Sequence, residues 1–150
     1  MSIRYVHTNL IVRNLQQLAD FYIKVLDCKQ ANTTQLSGQY LEKGTGIKNA
    51  VLEGITLELP GYETRPQLLE IFQYTEVLAK ALPITANREG YGHIAFQADN
   101  IEEILNKTIE HGEKKVGEVV SKEYEKGTST YIYIADPEGN IIELQNWIPK

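Results

Sequence analysis

A single cysteine, Cys28, stands among 150 residues, so the chain forms no internal disulfide. That usage fits a reducing compartment. No apolar run approaches the ~18 residues of a membrane span. The N-terminal stretch "MSIRYVHTNLIV" lacks the basic-then-apolar order of a secretory leader. The expectation is a cytoplasmic protein with no membrane partner. Basic residues are also scarce: Lys and Arg number 15 against 20 Asp and Glu, a formal charge of −5. They are scattered rather than clustered, which argues against nucleic acid as a partner. What is present is ordinary for a soluble globular chain, 42% hydrophobic and 23% charged. The length suits one domain, or two small modules sharing a core.

Period-2 alternation in "RYVHTNLIV" predicts a strand over residues 4–12. Asn14 then caps "LQQLADFYIKVL", where Leu15, Leu18, Phe21, Tyr22, Val25 and Leu26 recur at helical spacing. Cys28 follows that helix as a small buried apolar residue rather than a reactive thiol. Residues 29–61 are harder to read; within them "LSGQYLEKGTGIKNA" is polar and Gly-rich, a connection carrying a weak strand or short helix. "AVLEGITLELPG" and "QLLEIFQY" read as strands, and "TEVLAKAL" as one or two helical turns before Pro83. After a polar linker the order restarts. "YGHIAFQA" is a strand, and Asn100 caps "IEEILNKTIEHG", closed by Gly112. His111, in that helix's last turn, is structural. "KKVGEVVSKEY" and "TSTYIYIAD" follow as strands, and the "DPEGN" turn leads into the last, "IIELQNW".

The halves superpose. A shift of 86 carries His7 to His93, Leu10 to Phe96, Asn14 to Asn100 and Leu18 to Ile104. This is an internal duplication of a β-α-β-β-β unit. Strand alternation puts His7, Asn9 and Ile11 on one face and Leu10 on the other; His93, Ala95 and Gln97 share the equivalent face of the second half. The Leu10 and Phe96 faces suit packing against helices, so the histidines point elsewhere. Each half also ends in a strand with a carboxylate at its middle, Glu70 and Glu143, flanked by Leu or Ile. A glutamate in that setting needs a partner or a cation. Two histidines and two glutamates at matched places form an N2O2 set for a divalent metal, with positions left for water or substrate. Such ligation suits zinc, nickel, cobalt, manganese or iron(II) alike.

"HTNLIVRNLQQLADFYIKVLDCK", "GYGHIAFQADNIEEILNKTIEHG" and "DPEGNIIELQNW" resemble the vicinal oxygen chelate superfamily, which includes glyoxalase I, methylmalonyl-CoA epimerase, extradiol dioxygenases and bleomycin-binding proteins. The likeness covers nearly the whole chain, with residues 29–51 only loosely matched. It implies an α+β fold of two paired β-α-β-β-β modules forming a half-open barrel. One domain would span 1–150, with module one at about 4–78 and module two at about 90–148. It places metal ligands on the first and last strands of each module, here His7, Glu70, His93 and Glu143. It also implies a lyase or isomerase acting on a small substrate with vicinal oxygens by metal-assisted proton abstraction. By resemblance to glyoxalase I, Glu143 is the first candidate for the base and Glu70 the second. Two alternatives stand beside this reading. One is an epimerase-like racemase, although those enzymes usually carry glutamine where Glu70 stands. The other is a non-catalytic binding protein of the bleomycin-resistance type.

On the ligand faces, alternation places Ile11, Leu68, Phe72, Ala95 and Ile141 as apolar walls, with Asn9, Gln97 and Gln145 as neutral hydrogen-bonding groups. No arginine or lysine is expected there, so an anionic substrate would rely on the metal or on a loop residue such as Arg88. Ile11 stands where glyoxalase I typically has a glutathione-reading arginine, which points away from glutathione. Uncovered sheet edges, and the family's habit of pairing modules, imply a homodimer.

Overall fold

The computed structural model describes residues 5–80, 85–87 and 89–150. The chain divides into two compact units, residues 1–79 and 80–150.

In the first unit, β1 (His7–Ile11) leads into α1 (Leu15–Leu26), then β2 (Lys29–Ser37), α2 (Gln39–Thr45), β3 (Val51–Glu58) and β4 (Leu68–Tyr74). The sheet order is β1-β4-β3-β2, with β1 parallel to β4 and the other pairs antiparallel. α1 begins where expected: the Asn14 side chain accepts the Gln17 backbone N–H at 3.1 Å. It ends at Asp27, in the left-handed region at φ 54°. Its buried stripe comprises Leu18, Ala19, Phe21, Tyr22, Val25 and Leu26. That stripe lies against β3 and β4, whose facing residues Ile55, Leu57, Leu69 and Ile71 are also buried. Burying each such side chain contributes about 1.5–3 kcal/mol before chain entropy is subtracted. Cys28 closes this core at 3% exposure, and its thiol is pushed up to about 12, first by burial and then by the Asp27 charge.

The second unit repeats the plan with β5 (Ile94–Gln97), α3 (Ile101–Glu110), β6 (Val120–Tyr124), β7 (Gly127–Ala135) and β8 (Ile141–Pro149). Its sheet order, β5-β8-β7-β6, is that of the first sheet position for position. Asn100 caps α3 through Glu103 N–H at 3.1 Å, and Ile132, Ile134, Ile142 and Leu144 fill the core on the helix side. His111 is structural, donating from Nδ1 to the Lys107 carbonyl at 2.9 Å. The β7–β8 turn is held by the buried Asp136 carboxylate, which accepts from Glu138 N–H at 3.0 Å and Asn140 N–H at 2.8 Å. Burial raises the Asp136 carboxyl above its ordinary range, while those bonds pull the other way.

The fold is the expected α+β repeat, with two differences. The stretch between α1 and β3 forms a nine-residue strand and a seven-residue helix, so the first unit has an element the second lacks. Residues 75–80 form no helix, because "TEVLAK" has no surface on which to bury its apolar members and Leu78 is 93% exposed. Ala81 and Leu82, the end of the expected "TEVLAKAL" turn, and Arg88 lie outside the described residues. Among the described residues no helix is long and apolar enough to cross a membrane.

Candidate functional site

Each sheet has a helix-covered face and an opposite face, and the histidines and mid-strand glutamates occupy the opposite one. In the first unit, parallel pairing sets Asn9 beside Glu70 and His7 beside Leu68. His7 therefore reaches Glu70 on the diagonal, Nε2 to Oε2 at 3.4 Å. In the second unit Ala95 pairs with Glu143, and His93 stands just before β5. It reaches Glu143 in the same way, Nε2 to Oε2 at 3.0 Å. All four side chains are partly open, the histidines at 41% and 36% and the glutamates at 23% and 18%. Within its own unit neither pair gains a third His, Cys, Asp or Glu among the described residues.

The pairs pass a simple test of fit to a metal. Two donors ~2.1 Å from one cation, subtending ~90–110° there, lie ~3.0–3.4 Å apart. The observed separations of 3.0 and 3.4 Å fall in that span. Each pair is thus spaced as half of an N2O2 set, and neither needs rearranging to present imidazole nitrogen and carboxylate oxygen together.

The surrounding groups divide by unit. Asn9 donates to the Glu70 carbonyl at 3.3 Å, and Ile11 is 43% exposed beside Phe72. Phe72 is committed at its far side: with Leu36 and Tyr74 it packs on a small cluster of Leu41, Ala50 and Leu52, by which α2 covers that end of the face. Leu68 is half-buried at the other end. In the second unit Ala95, Gln97 and Gln145 are exposed, whereas Ile141 is 4% exposed.

Two residues of this face were not anticipated. Tyr133 lies opposite Glu143 across β7 and β8, with its ring tilted against that of His93 at 5.1 Å between centres. Its hydroxyl is raised above the usual phenol range, chiefly by burial and next by the Glu143 charge. The alternation in "TYIYIAD" held the signal, since Tyr131 and Tyr133 fall opposite to the buried Ile132 and Ile134. The second is Lys122. β6 pairs it with Ser129, which pairs in turn with Trp147, so Lys122 shares the face that carries Glu143. Its ammonium stands 5.1 Å from the Tyr124 ring centre. The expectation of a face without lysine rested on the first and last strands of each module; the full sheet is four strands wide, and its far edge, β6, supplies a cation.

Residues 4–144 match the Glyoxalase/Bleomycin resistance protein/Dioxygenase superfamily, and the chain belongs to it. Among curated relatives, the lactoylglutathione lyase of Escherichia coli O157:H7 is 32% identical over 143 residues, covering 94% of this chain and 90% of that protein. Among solved structures, a glyoxalase family protein from Bacillus cereus aligns with a TM-score of 0.86 at 21% identity, over 99% of this chain and 96% of its own. A fosfomycin resistance protein from Listeria monocytogenes aligns at 0.62 and 18% identity, over 97% and 94%. Those two likenesses are likenesses of fold.

Proposed function

We propose that the chain is a divalent-metal-dependent lyase or isomerase acting on a small substrate with vicinal oxygens, with His7, Glu70, His93 and Glu143 as ligands. The observation that carries this reading is the recurrence of one histidine–glutamate pair, at ligand spacing, at the same topological place in both sheets. The lactoylglutathione lyase relative supports the reaction class. Zinc, nickel, cobalt, manganese and iron(II) all suit the donors. When bound, the cation supplies Lewis acidity toward two neighbouring substrate oxygens.

The remaining work falls to the chain. Glu143 takes the proton from the carbon next to the carbonyl and delivers it to the adjacent position. Tyr133, across the strand pair from that carboxylate and beside the His93 ring, limits the movement of both. Ile11, Phe72 and Ala95 exclude water from the reacting end, while Asn9, Gln97 and Gln145 offer neutral hydrogen bonds. The chain works as a homodimer: β2 and β6, each an edge strand of its sheet, expose most of their residues and need covering. Sedimentation should show a dimer at micromolar concentration; a monomer there would remove this part of the reading.

The deciding experiment pairs metal content with turnover. Purified protein should carry about one divalent ion per chain. Against a panel of 2-oxo and 2-hydroxy carbonyl compounds, Glu143→Gln should lower turnover by ~10²–10⁴-fold, with Glu70→Gln the milder of the two. Metal uptake without turnover on any compound would favour the binding-protein alternative.

A further inference from the structure

The faces that carry the two histidine–glutamate pairs differ at one end, and strand register shows how. Tyr74 lies four residues past Glu70 on β4, and Trp147 four past Glu143 on β8. Across the first sheet Tyr74 pairs with Leu52, which pairs with Leu36. Across the second, Trp147 pairs with Ser129, which pairs with Lys122. Trp147 therefore holds the place of Tyr74, and Lys122 that of Leu36. In the first sheet this place is roofed: Leu36 and Tyr74 pack on Leu41, Ala50 and Leu52, and Leu41 belongs to α2. In the second sheet β6 passes to β7 with no helix between them, and both Trp147 and Lys122 are exposed. The open place is built as a platform. Gly127 lets the indole lie on β7, since a Cβ there would stand 2.6 Å from the ring. Tyr124 lies beside it, 5.9 Å between ring centres, and the Lys122 ammonium stands over Tyr124. Lys122 has no ion pair among the described residues. On the same face the exposed Tyr131 lies 5.6 Å from Tyr133, which lies 5.1 Å from His93. Aromatic rings thus line the way from the candidate metal pair toward the open end. At ~3.3 Å per strand residue, Trp147 is ~13 Å along β8 from Glu143.

We propose that this platform takes the tail of the substrate, a flat aromatic body about two rings long that ends in a carboxylate. The proposal rests on the reading above, in which the reacting oxygens lie at His93 and Glu143. The first sheet supplies the precedent, since its own α2 fills the same place with the apolar Leu41. Lys122 in place of Leu36 adds one requirement, a negative charge at the far end. Flat rings gain most from Tyr131 and the indole, because stacked aromatic groups attract beyond the area they bury. The carboxylate meets the Lys122 ammonium where the platform ends. A compact aliphatic substrate would leave both the rings and the cation unused.

The test uses the full chain loaded with zinc, with calorimetry for affinity and the emission of Trp147, the chain's only tryptophan, for location. Three hydroxamates present the same neighbouring oxygens to the metal: acetohydroxamate, biphenyl hydroxamate, and biphenyl hydroxamate with a carboxylate at the far para position. Biphenyl hydroxamate should bind at least ~10-fold tighter than acetohydroxamate and change the Trp147 emission. The far carboxylate should add about 3–5-fold at low salt, a gain lost in Lys122→Gln and at high salt. Tyr131→Ala, at an exposed position, should cut the advantage of the biphenyl by about 3-fold or more. Biphenyl carboxylate on metal-free protein separates the platform from the metal: it should still change the emission, and Lys122→Gln should weaken it. Hydroxamates that bind no tighter with zinc than without would sink the metal reading and leave the platform standing. Three hydroxamates of equal affinity, or a Trp147 emission that answers to none of them, would overturn the platform. An emission that shifts on dilution of the protein alone and ignores every probe would assign the face to a second copy, and overturn it equally.

Discussion

Tyr133 and Glu143 face each other across β7 and β8, and the Tyr133 ring also lies against His93. The first unit has no counterpart: Thr56 is the residue opposite Glu70. The two otherwise matched pairs are therefore chemically unequal, and the second is the better held. Partners that orient a metal-binding carboxylate typically contribute 10–100-fold in affinity or activity. Tyr133→Ala should cost that much in metal affinity, measured by competition against a chelator. Thr56→Val should leave the affinity within a few-fold.

Ile11 stands 43% exposed on the ligand face of β1, beside Phe72 and with no charge of its own. The glutathione adduct of methylglyoxal should therefore be turned over at well below ~10 per second. Ile11→Arg should raise kcat/KM for that adduct by roughly 10–100-fold, the worth of one hydrogen bond to a charged group. Rapid turnover by the unmodified protein would show that another cation, such as Lys122, does the work assigned here to position 11.

Much of this was legible because the duplicated parts obey strong local rules. Asn14 and Asn100 cap, apolar residues recur at helical spacing, and His7 and His93 fall 86 residues apart. The edge strand β2 was not, because "KQANTTQLS" is polar on both faces and leaves no alternation to read. Tyr133 was visible as an alternating aromatic. Its place at the site was hidden, because which residue stands opposite depends on strand register, and the pairing with Glu143 exists only once β7 lies beside β8.

Cys28 should be chemically silent in the folded chain. Burial and the Asp27 charge raise its thiol from 9.0 to about 12, so the folded state favours the protonated form. That preference is fully present below the unfolded value and is lost only as pH rises through the folded one. At pH 8 the thiolate fraction is ~10⁻⁴, against ~10⁻¹ for a thiol at the unshifted value, so iodoacetamide should label Cys28 about 10³-fold more slowly than it labels the unfolded chain. Equal labelling rates in buffer and in denaturant, followed by mass spectrometry, would mean that the end of α1 is open.

Gly127 opens β7 under the only tryptophan in the chain. A Cβ at that position would sit 2.5 Å from the Ile148 carbonyl oxygen and 2.6 Å from the Trp147 ring. The ring could swing away, but the carbonyl belongs to β8 and moves only with the ladder that also carries Glu143. Gly127→Ala should therefore destabilise the protein by about 1–3 kcal/mol, the usual cost of overpacking. For a chain of this length that lowers the melting temperature by roughly 2–12 °C. Trp147, 45% exposed and 5.9 Å from the Tyr124 ring, reports the same event, since displacing the indole changes its emission. Gly54 offers the contrast: a Cβ there meets only side-chain atoms, Phe72 at 2.6 Å and Thr34 at 3.2 Å. A rotating Phe72 can absorb part of the clash, so Gly54→Ala should cost less and leave the tryptophan signal unchanged. If the two alanine variants melted alike, the rigid carbonyl of Ile148 would not be what fixes glycine at position 127.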